Sequence, residues 1–450
     1  MHKVPPLPFP LHRRFSAKNF IRFSGRELAL SFLLIMKTAR PIALACVIVA
    51  CIPSVSSALG IRIADQDARA TARGNAFTAT ADNPSAIFYN PAGISQLYAP
   101  PLSLSTGTGK TAHPVEQDGE GGIRFRMGVY AITLGNEVNL GGGTSSFDIS
   151  HRWQTAASFY TTWKKANSPL TFGLGMYSPY GFGIWYPENS PLRQLAISGN
   201  IAYTSINPVV SWQVTPTLSI AAGPTLNYAK TGLKRGIFVQ GDAFEFEGTG
   251  WALGANAGIM WRPAPQHSFG LMYRSETQVT FDGHARTAIG AFDNREPGTA
   301  NIVFPQNIVL GYSFRPTPRW NFEVNVDWTD WDRLNTVTLN KGSGSVPLPF
   351  NWQSSFFYEF GATYKFDDGF TASAGYIYSE NSVPNGSFNP IVPDSNRHIF
   401  SVGLGKQWKK LDLDVAYQYA HGPSRTVTGL AAGNYQFDSH AISISAGYRF

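Results

Sequence analysis

Asp394, Ser395 and His398 stand within one short segment, Val392-Pro393-Asp394-Ser395-Asn396-Arg397-His398, and are the residue types of a hydrolytic relay. Such a relay needs the imidazole to reach the hydroxyl on one side and the carboxylate on the other. Three side chains crowded into one loop do not readily meet both demands, and the chain has no His-Glu-X-X-His metalloprotease pattern. The expectation is therefore that the protein is not an enzyme. Arg397 and His398 have a second use, as cations that could hold a carboxylate inside a polar lumen, although arginines in such places more often pair with Asp and Glu as braces. Cys46 and Cys51 are the only cysteines, and both lie in an N-terminal stretch that reads as removable. Neither a disulfide nor a thiolate metal site is expected in the mature chain, and no metal or cofactor is implied.

Two further groups point to ligand handling rather than bond cleavage. Between Ser178 and Gly199, Tyr180, Phe182, Ile184, Trp185, Tyr186 and Leu195 make an apolar cluster where a plain loop would be polar, so they are candidates for a ligand-capture surface or for simple loop packing. In Asn90-Pro91-Ala92-Gly93 the Asn side chain can bond nearby backbone, Pro91 fixes a turn and Gly93 permits unusual dihedral angles.

The elements that must carry these residues are strands. At the C-terminus Ile442, Ile444, Tyr448 and Phe450 alternate with Ser443, Ser445 and Arg449, an apolar face against a polar one. Leu411 to Tyr419 and Phe370 to Tyr378 repeat the pattern, as does Leu218 to Tyr228 less cleanly. Trp320 to Trp328 adds a Trp at each end of its apolar stripe, like the aromatic girdles of a membrane wall. An all-β fold follows, a transmembrane antiparallel β-barrel with lipid outside and a polar lumen. Tight turns are expected at Ala166-Asn167-Ser168-Pro169, Thr215-Pro216, Pro263-Ala264-Pro265, Pro316-Thr317-Pro318, Asp367-Asp368-Gly369 and Lys409-Lys410. Those six turns divide the chain after residue 97 into seven hairpins, hence about 14 strands.

Composition agrees. Of 450 residues 43% are hydrophobic, and a mean hydropathy of -0.13 suits a wall that needs an apolar residue only at every second position. Met36-Lys37-Thr38-Ala39-Arg40, an apolar stretch and Ser56-Ser57-Ala58 read as a signal peptide over 36–58, within a leader of 1–58 whose true start is Met1 or Met36. The formal charge of +7 comes partly from that leader, and no nucleic-acid partner is inferred.

Residues 59–97 lack strand alternation, and 98–450 carry the barrel. The motif Asp82-Asn83-Pro84-Ser85-Ala86-Ile87-Phe88-Tyr89-Asn90-Pro91-Ala92-Gly93 resembles the N-terminal hatch of the FadL-type long-chain fatty-acid and hydrocarbon transporters of the outer membrane. Ser205-Ile206-Asn207-Pro208, Phe304-Pro305-Gln306, Asp327-Trp328-Thr329-Asp330-Trp331 and Val392 to His398 agree with that family in order along the chain. Charges and a Thr in Arg69 to Ala76 depart from it, where relatives are smaller and richer in Gly.

The resemblance implies a hatch inside the lumen, with Asn90, Pro91, Ala92 and Gly93 gating it. It further implies an outer hydrophobic groove, an internal pocket and release through a lateral gap. Residence in the outer membrane of a Gram-negative bacterium follows, with passive uptake of a long-chain fatty acid or other hydrophobic small molecule. Aromatic hydrocarbons by the same route, or a general porin, are the alternatives. Contact with outer-membrane lipid, assembly by the barrel assembly machinery through the C-terminal strand, and a monomeric state are also expected. Gly173 and Gly175 are candidates for weakening wall pairing near such a gap.

Overall fold

Strand alternation becomes a closed wall. The computed structural model describes residues 61–98, 121–140, 145–148 and 153–450, so the leader at 1–58 and the segment 99–120 lie outside the described residues. The wall strands are β1 (Gly122–Leu140), β2 (Gln154–Lys164, with the outlying piece Ser145–Asp148), β3 (Leu170–Tyr177 and Gly181–Trp185) and β4 (Ser198–Thr215). There follow β5 (Leu218–Arg235), β6 (Ala243–Ala264), β7 (His267–Arg274 and Thr277–Ile289) and β8 (Phe292–Phe304 and Asn307–Phe314). After these come β9 (Trp320–Thr329 and Thr336–Lys341), β10 (Gly344–Pro349 and Ser355–Lys365) and β11 (Phe370–Ser379). The last are β12 (Arg397–Trp408), β13 (Leu411–Val427) and β14 (Gly433–Arg449). Each pairs antiparallel with its neighbour, and β1 closes the barrel on β14 from Arg124↔Arg449 to Asn139↔Asn434.

The six turns read from the sequence are the six short connections of the barrel, between strands ending and beginning at 164/170, 215/218, 264/267, 314/320, 365/370 and 408/411. Lys409 and Asn167 adopt positive φ there, as does Gly369 at +83°. These turns mark the periplasmic end. The predicted faces also hold. Ile442 and Ile444 are exposed to the lipid side while Ser443 and Ser445 are buried, and Phe322, Val324 and Val326 face out where Asn321, Glu323, Asn325 and Asp327 face in.

The N-terminal segment sits inside this wall, nearly all of it buried. Helix α1 (Ala68–Thr71) starts where Asp67 accepts from the Arg69 amide, and stops as Gly74 and Asn75 turn to positive φ. Helix α2 (Ala86–Tyr89) stops because Pro91 disfavours helical geometry at the preceding residue, and Asn90 is indeed extended at φ −167°. A 3₁₀ segment, Pro91–Tyr98, follows.

Charged lumen residues grip these short helices. Arg126 on β1 binds Asp67 and also Asp414 on β13, at 2.8 Å. Glu323 on β9 accepts from the Ala79 amide at 2.7 Å and lies 3.5 Å from Arg73. Close approach needs missing side chains too. A Cβ on Gly375 of β11 would lie 2.0 Å from the Gly74 nitrogen. Gly375→Ala should therefore destabilise the folded barrel by about 1–3 kcal/mol, measured by urea unfolding in bilayers. Gly386→Ala, where nothing lies within 4 Å, is the control and should be silent.

Candidate functional site

β3 loses its partner half-way up the wall. Its first half pairs with β2 only as far as Phe159↔Met176. Beyond Ser178-Pro179-Tyr180, Gly181–Trp185 pairs with β4 alone, through Gly181↔Ala202 to Trp185↔Ser198. From β2 itself this upper half is reached by a side chain, Gln154 Nε2 donating to the Gly183 carbonyl at 2.8 Å.

The hatch takes the missing neighbour's place. The Ile63 amide donates to the Pro179 carbonyl at 2.9 Å and the Gly181 amide to the Ile61 carbonyl at 2.8 Å, making a short antiparallel bridge of Arg62 on Tyr180. Gln66 completes it from the side, donating to the Ser178 carbonyl at 2.8 Å and accepting from the Ser178 amide at 3.1 Å. Arg62 anchors the bridge across the lumen, 2.5 Å from Asp327 and 2.8 Å from the Thr329 hydroxyl on β9.

Above this bridge lies an apolar chamber, a cleft with about 740 Å³ of atom-free space, part of it open to solvent. Ile61 of the hatch and Phe182 of β3 line it with Leu334, Trp352 and Ile391 from the outer loops. Thr231 and Asn389 are the polar side chains of the lining, and no charged one takes part. Rings pack beside it, with Tyr203 and Phe304 centroids 4.7 Å apart and Trp331 and Trp352 4.9 Å apart. Two outer loops are clamped together at its rim, where Arg193 reaches Asp242 at 3.1 Å and the Gly236 amide donates to the Arg193 carbonyl at 2.7 Å. Burial opposes the charge of Asp242, but the amides of Val239, Phe238 and Ile237 and the Arg193 guanidinium together hold its carboxyl down at about 2.

The sequence candidates separate on this geometry. Tyr180, Phe182, Ile184 and Tyr186 form no exposed capture surface; they are buried, with Trp185 and Leu195 half-buried. The reason is the inward turn of β3, which lets the Tyr180 hydroxyl reach the Pro305 carbonyl at 2.7 Å and that of Tyr186 the Pro390 carbonyl at 3.0 Å. Of the six, Phe182 lines the chamber.

Asn90 is fully buried and donates both to the Thr78 carbonyl of the hatch and to the Ile259 carbonyl of β6, each at 2.9 Å, while its oxygen accepts from Ala92. Gly93 corrects the dihedral expectation, because its φ is not positive. It is needed for room, since a Cβ there would sit 2.6 Å from that of Ala81.

Arg397 faces in, 3.4 Å from Asp394, whereas His398 faces out and bonds the Tyr376 hydroxyl at 2.8 Å. His398 is thus corrected as a lumenal partner for a carboxylate, and the same alternation keeps it from Asp394 and Ser395. Gly173 and Gly175 are also corrected: both are paired to β2, and their missing side chains make room for Ile87 of α2. The break falls instead at Pro179, which offers no amide to a ladder. A proline inside an alternating run was the sequence signal for it. Ile61 and Arg62 stand in Ile61-Arg62-Ile63, which resembles the start of the family's hatch, whereas Gln66 had no such signal.

A hatch seated within a fourteen-stranded wall is the arrangement that the comparisons with known proteins match. Residues 49–450 fit the model of the outer membrane protein transport family described as OMPP1/FadL/TodX. The chain belongs to that family. It is an outer-membrane β-barrel of a transport-protein family found in Gram-negative bacteria. A long-chain fatty acid transport protein of Escherichia coli O6:H1 is 25% identical over 223 residues, 45% of this chain and 50% of that protein, so the match spans half of this relative's length. A putative outer membrane protein of Neisseria meningitidis serogroup B is 23% identical over 87% of this chain and 94% of its own. Among solved structures, a Pseudomonas aeruginosa FadL homologue aligns with a TM-score of 0.72 at 17% identity, over 87% of this chain and 100% of its own. The P. putida toluene transporter TodX aligns at 0.65 and 16% identity, over 82% and 94%.

Two outcomes follow from the geometry. Arg62→Ala leaves Asp327 buried without its cation, a loss of about 3–5 kcal/mol to hatch docking, visible as raised ion conductance in planar bilayers; Arg62→Ala with Asp327→Ala should recover part of it. The Asp242 carboxyl is depressed below the ordinary aspartate value of 3.8, so its contribution is complete above that value and lost as pH falls through about 2. Pepsin cleavage of the 187–197 loop should be slow at pH 4 and rise steeply toward pH 2, and Asp242→Asn should cleave quickly at both.

Proposed function

We propose that this chain takes up hydrophobic small molecules, long-chain fatty acids first among them, by passive diffusion through the chamber and sideways out of the wall at the β2–β3 break. The observation that carries this is one of position. Ile61 and Phe182 line the chamber and flank the bridge that fills the break, so the floor of the ligand space is also its side door. Withdrawal of Ile61–Ile63 would open a path from an apolar cavity directly into the membrane, which suits a solute too insoluble for a wide aqueous pore. A general porin is disfavoured by the buried segment that occupies the lumen.

Uptake of aromatic hydrocarbons is the second reading. It is favoured by a lining with no charged side chain to meet a carboxylate. Equilibrium binding of oleate and of toluene to the purified protein separates the two: oleate alone supports the first, toluene alone the second, and neither would return the porin. The side door has its own test. Arg62→Cys with Tyr180→Cys, placed on an Asp327→Asn background so that no carboxylate is stranded, joins facing residues of the bridge. Oxidation should stop uptake into cells and reductant should restore it; uptake indifferent to oxidation would sink sideways release.

A further inference from the structure

At the periplasmic end of the lumen, positive charge gathers without the carboxylates that accompany it elsewhere. Arg262 on β6, Arg315 just past β8 and Lys365 closing β10 each stand two residues beyond a buried lumen-facing side chain, Met260, Ser313 and Thr363, so alternation turns all three toward the mouth under the hatch. Two hatch cations face them, Arg69 and Arg73, but Arg69 is engaged by Asp412 and Asp414, and Arg73 by Glu323. Asp82, the carboxylate nearest the three wall cations, lies 3.7 Å from Arg69 as well. Among the described residues none of the three wall cations has a carboxylate within ion-pair distance, whereas Arg69 and Arg126 share Asp67, Asp412 and Asp414.

Several donors there are idle. Among the described residues neither Arg315 nor Lys365 makes a side-chain hydrogen bond or ion pair. Arg262 has one long bond, to the Thr80 carbonyl at 3.5 Å, and its Nε is buried with no partner. The Nε of Arg73, a residue 2% exposed, is buried and unpartnered as well. Burial opposes ionisation of Asp82, yet Arg69, Lys365, Arg315 and Arg73 hold its carboxyl down at about 2, so it is an anion here, with its Oδ1 buried and making no hydrogen bond.

Lumen arginines ordinarily come with matching carboxylates, as Arg126 and Arg62 do here. Uncompensated like charges repel, and guanidinium forks suit phosphate oxygens. We propose that Arg262, Arg315 and Lys365 form an oxyanion site at the periplasmic mouth that takes a phosphate group. A phosphate monoester or inorganic phosphate carries about −1.5 to −2 near neutral pH and would bring these three cations the counter-charge that no carboxylate gives them within ion-pair distance. The source is free phosphate or the terminal phosphate of an anionic lipid such as phosphatidic acid.

The test uses the full chain in detergent, with sodium phosphate compared against sodium chloride at equal ionic strength and pH 7.4. Phosphate should raise the melting midpoint above the chloride value, and equilibrium dialysis should show saturable phosphate binding. Arg315→Gln with Lys365→Gln should weaken that binding at least tenfold and abolish the difference in midpoint. Neither side chain has a hydrogen bond or an ion pair to lose among the described residues, and Asp82 keeps Arg69, so the variant should fold; Lys410→Gln should behave as wild type. If free phosphate is silent, nanodiscs with phosphatidic acid are compared with phosphatidylcholine discs, and a midpoint rise removed by the double variant assigns the lipid source. Equal effects of phosphate and chloride with no lipid effect, or binding that survives the double variant, would overturn the site.

Discussion

Inside a membrane wall a backbone amide or carbonyl must have a partner in the protein, because lipid offers none. The structure follows from how one violation of that rule is resolved. β3 abandons its ladder to β2 at Ser178-Pro179-Tyr180, and the freed groups are met by Ile61, Ile63 and Gln66 of the hatch. The hatch is consequently a piece of the wall as well as a plug, and its place in the lumen cannot change without reopening the break. Arg62 on Asp327, Arg126 on Asp67 and Glu323 on the Ala79 amide hold it to that place from other sides of the barrel.

The grip is polar because the lumen is polar, and the lumen is polar because strands alternate. Asn321, Glu323, Asn325 and Asp327 face in for the same reason that Phe322, Val324 and Val326 face lipid. Such a lumen can hold helices too short to persist alone: α1 and α2 have four residues each, and their ends are closed by Asp67 and by the extended Asn90. Below, apolar character goes to seating the hatch, where Phe77, Ile87 and Phe88 pack on Val209 and Met260 of the wall; the open apolar space lies in the outer half, where loops bring Leu334, Trp352 and Ile391 to it.

That division explains what could be read from the chain. Period-two alternation and six turn signals are local, so the wall, its strand number and its periplasmic end were legible, and the Asn-Pro-Ala-Gly motif marked the hatch. The site was legible only in part. Tyr180 and Tyr186 are correctly apolar neighbours in sequence, but their burial depends on carbonyls at Pro305 and Pro390, far along the chain. His398 and Arg397 differ by one position and so fall on opposite faces, which alternation already implied and a residue-type argument overlooked. Ile61 and Gln66 are ordinary residues whose roles come from what β3 lacks. A missing neighbour is a property of the assembled sheet and leaves no motif.

On the proposed reading, magnitudes bear on which solute can work the door. Four backbone-directed bonds close it, and a typical protein hydrogen bond contributes about 0.5–1.5 kcal/mol net, so opening costs on the order of 2–6 kcal/mol before Arg62 moves. An apolar solute displacing Ile61 gains about 0.8 kcal/mol for each buried methylene. A chain of eight buried methylenes therefore offers roughly 6 kcal/mol, enough to offset those bonds. A single-ring solute buries less surface and has less to give, so it would need a bridge that is already loosened. Arg62 decides how loose the bridge is, because its ion pair with Asp327 is buried on both sides. Selectivity between chains and rings can thus reside in the strength of the closure as much as in the shape of the chamber.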